Sequence, residues 1–172
     1  AIHVPAKAQN SDAIVDGGEL SPLTVEEQTI ILKALRKSSR EYQLMFYLAL
    51  FTGARLQTIC TLRIKNLIGC EHDSHGFIRL PVGAGTGVDT KFQKPMTLLI
   101  PNWLAQDLKI YINSEQARQR RNKSNYGDSD ENYVFLTKLG TPFYTSKAEQ
   151  QELTEQIKAS DSFGARLKLY EG

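Results

Sequence analysis

The sequence predicts an α+β fold that is mainly helical and carries one small antiparallel β-hairpin. Apolar residues recur at helical spacing over much of the chain, and two short apolar runs, 77–82 and 96–100, flank a glycine-rich loop. With 172 residues, 41% of them hydrophobic, the chain can form one domain with a core. It contains no apolar run of membrane-spanning length, no signal peptide and only two cysteines, Cys60 and Cys70, so we expect a cytoplasmic protein.

The N-terminal part of the chain is expected to be a linker followed by a capped helix. Residues 1–20 are poor in large apolar residues, which predicts a linker, and residues 21–172 are expected to form the domain. Thr24 and Glu27 have the spacing of a capping box. The apolar face of this helix is predicted to be Ile30, Ile31, Ala34 and Leu35. Because the chain begins with alanine rather than methionine, we expect it to be a piece of a longer protein.

The second predicted helix is the most apolar stretch of the chain. From Leu44 to Phe51 nearly every residue is large and apolar, which is typical of a helix buried on all sides. Gly53 is expected to end this helix, since glycine reaches left-handed backbone angles without a Cβ clash. A further helix can then leave in a new direction.

Arg55 stands at the start of that further helix, whose inward face is predicted to hold Leu56, Ile59, Cys60 and Leu62. A helix N-terminus favours anions through its free N–H groups and its dipole, and a guanidinium placed there favours a phosphate or carboxylate. The alternative is a helical hairpin in which Arg55 only caps neighbouring carbonyls. This segment by itself leaves both interpretations open.

Positive charge is concentrated in one part of the sequence, although the net charge is only +2. Between Leu32 and Lys65 a single acid, Glu41, stands among many bases. The bases are Lys33, Arg36, Lys37, Arg40, Arg55, Arg63 and Lys65. Such asymmetry is typical of a surface that contacts a phosphate backbone, or of a solvated face.

Two candidate ligand sites are excluded by their context. Cys70, His72 and His75 could each bind zinc, but no second pair of ligands follows, so we predict a polar turn and no metal. The glycines of residues 83–87 are not followed by Gly-Lys-Ser/Thr and an apolar helix, so they predict a mobile hairpin tip rather than a nucleotide site. We expect no cofactor.

The last third of the sequence predicts two more helices and a strand. A helix is expected from about Trp103 to Arg121, with its basic end stabilised by the helix dipole. Residues 133–136 are predicted to be a buried strand, and Ser146 is predicted to cap a final helix. A DNA-binding role for the basic end is optional. That end comprises Arg118, Arg120, Arg121 and Lys123.

Two motifs resemble the tyrosine recombinase (phage integrase) family. The run Thr52-Gly53-Ala54-Arg55-Leu56, followed by Leu62-Arg63, resembles its first conserved box, T-G-x-R-(I/L)-x-E-(I/L) and then L-R. Thr90-Lys91, with Lys94-Pro95, resembles the context of the family's hairpin lysine. The order of arginine box, polar turn, strand, lysine and strand extends the resemblance over about residues 21–150.

The resemblance implies a site-specific recombinase of a mobile genetic element that integrates DNA through a 3′-phosphotyrosyl intermediate, without metal or cofactor. It implies that Arg55 stabilises the transition state and that Lys91 protonates the leaving 5′-oxygen, with Lys94 as the alternative acid. Duplex DNA and other protomers of a tetramer are the implied partners. The predicted DNA-binding residues are Arg40, Arg55, Arg63, Lys65, Lys91 and Lys94.

The sequence departs from the family pattern in two ways. Thr58 stands at the glutamate position and supplies no charge, so Arg55 is expected to be held less firmly. No H-x-x-R box or matching nucleophilic tyrosine occurs up to Gly172; residues 163–166 do not form the box, and Tyr170 lacks the context. We therefore expect a partial catalytic domain that is inactive alone. The alternatives are a non-catalytic DNA-binding relative or remnant, or an unrelated α+β domain.

Overall fold

A computed structural model of the chain describes residues 23–68, 70 and 73–156. The helices are α1 (Val25–Leu35), α2 (Arg40–Thr52), α3 (Leu56–Cys60), α4 (Ile64–Leu67), α5 (Asn102–Ile112), α6 (Glu115–Arg121) and α7, which covers residues 147–156. The strands are β1 (Phe77–Val82) and β2 (Met96–Pro101). This confirms the predicted mainly helical fold with one antiparallel hairpin. The predicted linker, His72, residues 163–166 and Tyr170 lie outside the described residues.

The chain divides into two compact units between Ala34 and Leu35, so nearly all of α1 belongs to the first unit. The predicted capping box is present in α1. The Thr24 N–H donates to Glu27 Oε2 at 2.8 Å, and the Glu27 N–H donates to Thr24 Oγ1 at 3.2 Å. Of the predicted apolar face, Leu35 is buried and Ile30 is exposed.

Helix α2 is buried on one side only, so the prediction of burial on all sides was wrong. Leu44, Met45 and Leu48 face the core, where α2 packs against α3, α5 and β2, whereas Phe46 and Phe51 are about half exposed. Part of the outer face is covered by contacts among aromatic rings. Trp103 packs edge-to-face against the rings of Tyr47 and Phe51, at centroid distances of 5.9 and 5.0 Å.

Gly53 ends α2 as predicted. Its φ of 67° lies in the left-handed region, and its N–H donates to the Ala49 carbonyl. The chain therefore leaves the end of α2 in a new direction, which places Arg55 at the N-cap of the five-residue helix α3.

The β-hairpin buries one of its faces. Antiparallel pairing runs from Phe77 opposite Pro101 to Val82 opposite Met96. Alternate side chains point into the core, and the intervening ones point to solvent. The buried side chains are Ile78, Leu80, Val82, Leu98 and Ile100.

The single helix predicted from Trp103 to Arg121 is two helices. Helix α5 ends at Ile112, and Ser114 caps α6 by accepting a hydrogen bond from the Ala117 N–H at 3.3 Å. Apolar periodicity did not reveal the break because the apolar face ends with α5 at Ile112 and α6 has only one apolar residue, Ala117. An Asn-Ser pair favours caps over helix interiors, and this was the signal available.

Residues 122–146 form turns rather than the predicted strand. Residues 133–136 are buried as expected, but within the described part of the chain they pair only through isolated bridges, Arg63 with Tyr133 and Leu136 with Pro142. The buried Asn132 side chain organises the preceding loop, since its amide donates to the Gly127 carbonyl at 2.7 Å and to Ser124 Oγ at 2.9 Å.

A buried ion pair joins α2 to α6. Arg120 Nη2 lies 2.6 Å from Glu41 Oε1, and both side chains are at most 5% exposed. Arg120 Nη1 also donates to the Leu136 carbonyl at 2.7 Å. Burial, the largest single influence, would raise the pKa of Glu41. The hydrogen bonds that the carboxylate accepts, led by the one from Arg120, and the charge of Arg120 together outweigh burial, so the pKa lies below its ordinary value of 4.5.

We predict that Arg120→Met lowers the free energy of unfolding by about 3–5 kcal/mol, because it leaves a buried carboxylate without its partner. Since the folded pKa of Glu41 is lowered, the ion pair stabilises the protein above pH 4.5 and this contribution is lost as the pH falls through the folded pKa. The deficit of the variant, measured by urea unfolding, should therefore narrow in acid. Arg118→Met, at an exposed position of the same helix, is the matched control; an equal effect of both variants would contradict the prediction.

Candidate nucleic-acid interface

Arg55 is exposed, and its side chain makes no hydrogen bond or ion pair with any residue that the structure describes. It occupies the N-cap position of α3 with an extended backbone and no side-chain cap. The alternative in which Arg55 caps neighbouring carbonyls is therefore not seen. Its guanidinium is available to an external anion.

Lys91 and Lys94 lie on the long loop between β1 and β2, residues 83–95. Both are exposed, and neither forms an ion pair within the described part of the chain. Lys91 begins a short 3₁₀ turn, Lys91–Gln93, and Lys94 follows it. Lys91 Nζ lies 5.3 Å from the centre of the Phe92 ring. The loop thus presents two cations to solvent.

Asp89 links the helix that carries Arg55 to the loop that carries Lys91. Its carboxylate Oδ2 accepts a hydrogen bond from Gln57 Nε2 at 2.8 Å, and its N–H donates to Thr61 Oγ1 at 2.9 Å. Gln57 follows Arg55 by two residues, and Lys91 follows Asp89 by two residues. The two predicted catalytic residues therefore stand on backbone segments that are fastened together.

The Asp89 carboxylate is 1% exposed, and every partner in the described structure is an uncharged donor. Besides Gln57, the Gln93 side chain donates to Oδ1 at 3.1 Å, and the Lys147 backbone N–H lies 3.2 Å from each oxygen. These hydrogen bonds offset the cost of desolvating the carboxylate. They also tie the start of α7 to the same point.

Sequence reasoning missed Asp89, although it directly precedes the quoted Thr90-Lys91 motif. An acid in a glycine-rich loop is ordinarily solvated, and its partners here lie far away in the chain. Gln57 is 32 residues distant and Lys147 is 58. Thr58, at the position where the motif that the sequence resembles has a glutamate, is 3% exposed, so a carboxylate at that position would be buried.

Arg63 is built into the interior of the domain. It is 7% exposed, its Nη1 donates to the Glu131 carbonyl at 2.6 Å, and its Nη2 pairs with Glu149 Oε2 at 3.1 Å. The guanidinium also lies over the rings of Tyr126 and Tyr133, at 4.9 and 4.5 Å. This burial speaks against the predicted contact of Arg63 with DNA.

Arg40 and Lys65 form ion pairs that solvent can reach. Arg40 pairs with Asp107 at 2.8 Å, and Lys65 pairs with Glu131 at 2.7 Å. Exposed ion pairs of this kind contribute only about 0–1 kcal/mol to the stability of the fold. Either cation can therefore exchange its carboxylate for a phosphate at little cost.

Two arginines of the predicted basic helix end face inward. Arg120 pairs with Glu41, and Arg121 Nε lies 2.6 Å from Asp128 while its Nη1 donates to the Ile112 carbonyl. Only Arg118 and Lys123 of that group are exposed. The optional DNA-binding role of this helix end has little support.

Of the three candidate metal ligands, Cys70 and His75 lie within the described residues and His72 does not. Among the described residues, no three His, Cys, Asp or Glu side chains lie close enough to hold an ion. The Cys70 thiol donates to the Asn66 carbonyl at 3.1 Å, and His75 is exposed.

No helix in the described ranges is long and apolar enough to cross a membrane.

Three structures of one transposon integrase are similar to this chain. The Tn1549 integrase in complex with a circular intermediate DNA has a TM-score of 0.48 and 19% identity, over 80% of this chain and 45% of that one. Its complex with transposon right end DNA gives 0.45 and 20% over the same shares. A second circular-intermediate complex gives 0.47 and 18%, over 90% and 50%.

These likenesses do not by themselves assign the chain to a family, because each TM-score lies below 0.5 and each identity is at most 20%. The chain spans about half the length of the integrase chains that it matches. No protein-family model matches the sequence, and no curated protein does.

We predict that Asp89→Asn loosens the loop of residues 83–95. An NH2 group replaces one carboxylate oxygen and faces hydrogen-bond donors that it cannot accept from. This lowers the stability of the loop by about 1–3 kcal/mol. Backbone amides of the loop and of the start of α7 should exchange with solvent faster than in the wild type, as measured by hydrogen exchange. Asp107→Asn, which loses only an exposed pair, is the control; unchanged protection in the Asp89 variant would contradict the role of this carboxylate.

Proposed function

We propose that this chain is part of a tyrosine-type DNA recombinase, in which Arg55 and Lys91 act at the scissile phosphate. The observation that carries the proposal is the pair of hydrogen bonds that Asp89 makes with Gln57 of α3 and with Thr61, the C-cap of that helix. They couple the segment of Arg55 to the segment of Lys91. Both side chains are exposed and unpaired within the described residues, so a phosphate can bind them without displacing a carboxylate.

Arg55 serves the transition state of strand cleavage in this proposal. Attack of a tyrosine hydroxyl on a phosphodiester produces a five-coordinate phosphorus that carries extra negative charge on its non-bridging oxygens. A guanidinium stays charged at any physiological pH and can grip two of these oxygens at once. Arg55 meets this requirement because no described carboxylate neutralises it.

Lys91 donates the proton that the leaving group needs. As the bond from tyrosine oxygen to phosphorus forms, the tyrosine gives up its proton to a base of the parent or to water. The bond from phosphorus to the 5′-oxygen breaks, and the ammonium protonates that oxygen. The reverse transfer regenerates the phosphodiester from the 5′-hydroxyl of another strand. The tyrosine would belong to a longer parent, so we expect the chain as given to leave nicked suicide substrates unreacted.

Duplex DNA is the proposed partner, bound through phosphate contacts. The proposed contacts are the exposed Arg55, Lys65, Lys91 and Lys94 and the partly exposed Arg40. In the parent, further protomers would complete a tetrameric complex with DNA in the cytoplasm. The reaction would move a mobile genetic element. A relative that binds DNA without cleaving it is the second candidate, favoured by the uncharged, buried Thr58 at the family's acid position.

We predict that the chain binds duplex DNA with an affinity that falls steeply between about 50 and 200 mM salt, because bound phosphates release counterions. Little sequence preference is expected. Arg55→Ala and Lys91→Ala should each weaken binding and reduce the salt slope by about 1, measured by fluorescence anisotropy. Lys109→Ala, an exposed lysine on α5, should leave both unchanged. Absence of binding at low salt would refute the DNA-binding function.

In a tyrosine-containing parent, we predict that Arg55→Ala lowers the cleavage rate at least about a hundredfold to a thousandfold, the usual cost of losing one transition-state donor. Lys91→Ala should slow cleavage strongly and Lys94→Ala should not. A 5′-bridging sulfur needs no protonation, so this substrate should rescue Lys91→Ala but not Arg55→Ala. Rescue of Lys94→Ala instead would identify Lys94 as the acid.

A further inference from the structure

Phe92 has an exposed apolar ring and a strained backbone, two features that are unfavourable for folding. At 86% exposure it is the most exposed large hydrophobic residue that the structure describes. Its backbone lies in the left-handed region, with φ of 57°, and the next residue, Gln93, follows at 55°. Such conformations are unfavourable for non-glycine residues and persist only where surrounding structure enforces them.

Several hydrogen bonds hold Phe92 in this position. The Gln93 side chain donates to the buried Asp89, and the Gln93 carbonyl accepts from the Ala84 N–H at 3.1 Å. Thr90 Oγ1 donates to the Lys94 carbonyl at 2.7 Å. The ring is therefore presented to solvent by a fastened turn.

The opposite side of the loop is shaped to permit this turn. A Cβ on Gly83 would lie 2.5 Å from the Lys94 carbonyl oxygen, so only glycine allows the two backbone segments to approach this closely. Gly83 also has a φ of 105°, which side chains rarely adopt. Both features indicate that the geometry around Phe92 is constrained by backbone contacts.

The charge around Phe92 indicates what the ring contacts. Lys91 and Lys94 flank it in the sequence, both exposed, with Lys91 Nζ 5.3 Å from the ring centre. An aromatic ring between two free cations fits a nucleic acid, whose phosphates bind lysines while its bases and sugars offer apolar surface. An acidic protein could satisfy the lysines but has no comparable periodic supply of phosphates and flat apolar rings.

We propose that Phe92 enters a groove of duplex DNA and packs against bases or sugars, while Lys91 and Lys94 contact the adjacent phosphates. This inference rests on the proposed DNA-binding function and adds an apolar contact to it. An apolar contact releases no counterions. Loss of the ring should therefore weaken binding without changing its salt dependence, unlike loss of either lysine.

The decisive variant is Phe92→Gly. Glycine relieves the left-handed strain, so the melting temperature should stay the same or rise, whereas DNA affinity should fall about fivefold to a hundredfold, as for lost base–aromatic contacts. The slope of affinity against salt should match the wild type. Phe46→Ala, at a half-exposed aromatic position on α2, should bind DNA normally.

A duplex that carries 2-aminopurine distinguishes the two modes of contact. Brighter fluorescence with wild type but not with Phe92→Gly identifies contact with a base, and unchanged fluorescence with the same loss of affinity identifies contact with sugars. If Phe92→Gly binds DNA as tightly as wild type, the inference is overturned while the DNA-binding function stands. If its salt slope falls as in Lys91→Ala, the ring only positions the lysine and the inference is overturned. If wild type itself does not bind, both are refuted.

Discussion

The buried carboxylate of Asp89 is the interaction on which the arrangement of the candidate site depends. It receives hydrogen bonds from α3, from its own loop and from the first residue of α7, segments widely separated in the chain. No cation neutralises it within the described residues, so the carboxylate tolerates burial only while these donors stay in place. The position of Arg55 and that of the Lys91 loop are thereby coupled.

The charged side chains fall into two groups with different uses. Arg63, Arg120 and Arg121 are buried, and each is matched by a carboxylate and a backbone carbonyl, since an unmatched buried charge would destabilise the fold. Arg55 and Lys91 are exposed and unmatched in the described structure. Water stabilises them, and a phosphate can replace that water. Arginine therefore supports the core in one place and lies on the solvated surface in another.

At the tip of the loop, strained backbone conformations are held in place by hydrogen bonds. Phe92 and Gln93 adopt left-handed conformations, and the hydrogen bond between Gln93 and Asp89 belongs to the network that joins the loop to α3. The network that couples Arg55 to Lys91 thus also holds the exposed ring. A contact of the ring with DNA would fix the position of Lys91 relative to the backbone phosphates.

Local patterns in the sequence determined the order of helices and hairpin, the end of α2 at Gly53, the capping box of α1 and the place of Arg55 at the start of α3. These features depend on a few neighbouring residues, whose backbone preferences and spacing are visible in the chain itself. The half-exposed face of α2, the break between α5 and α6, the burial of Arg63 and the role of Asp89 were decided by tertiary structure. Apolar content does not say which faces find a partner, and a charged side chain is buried only when partners from distant segments converge on it.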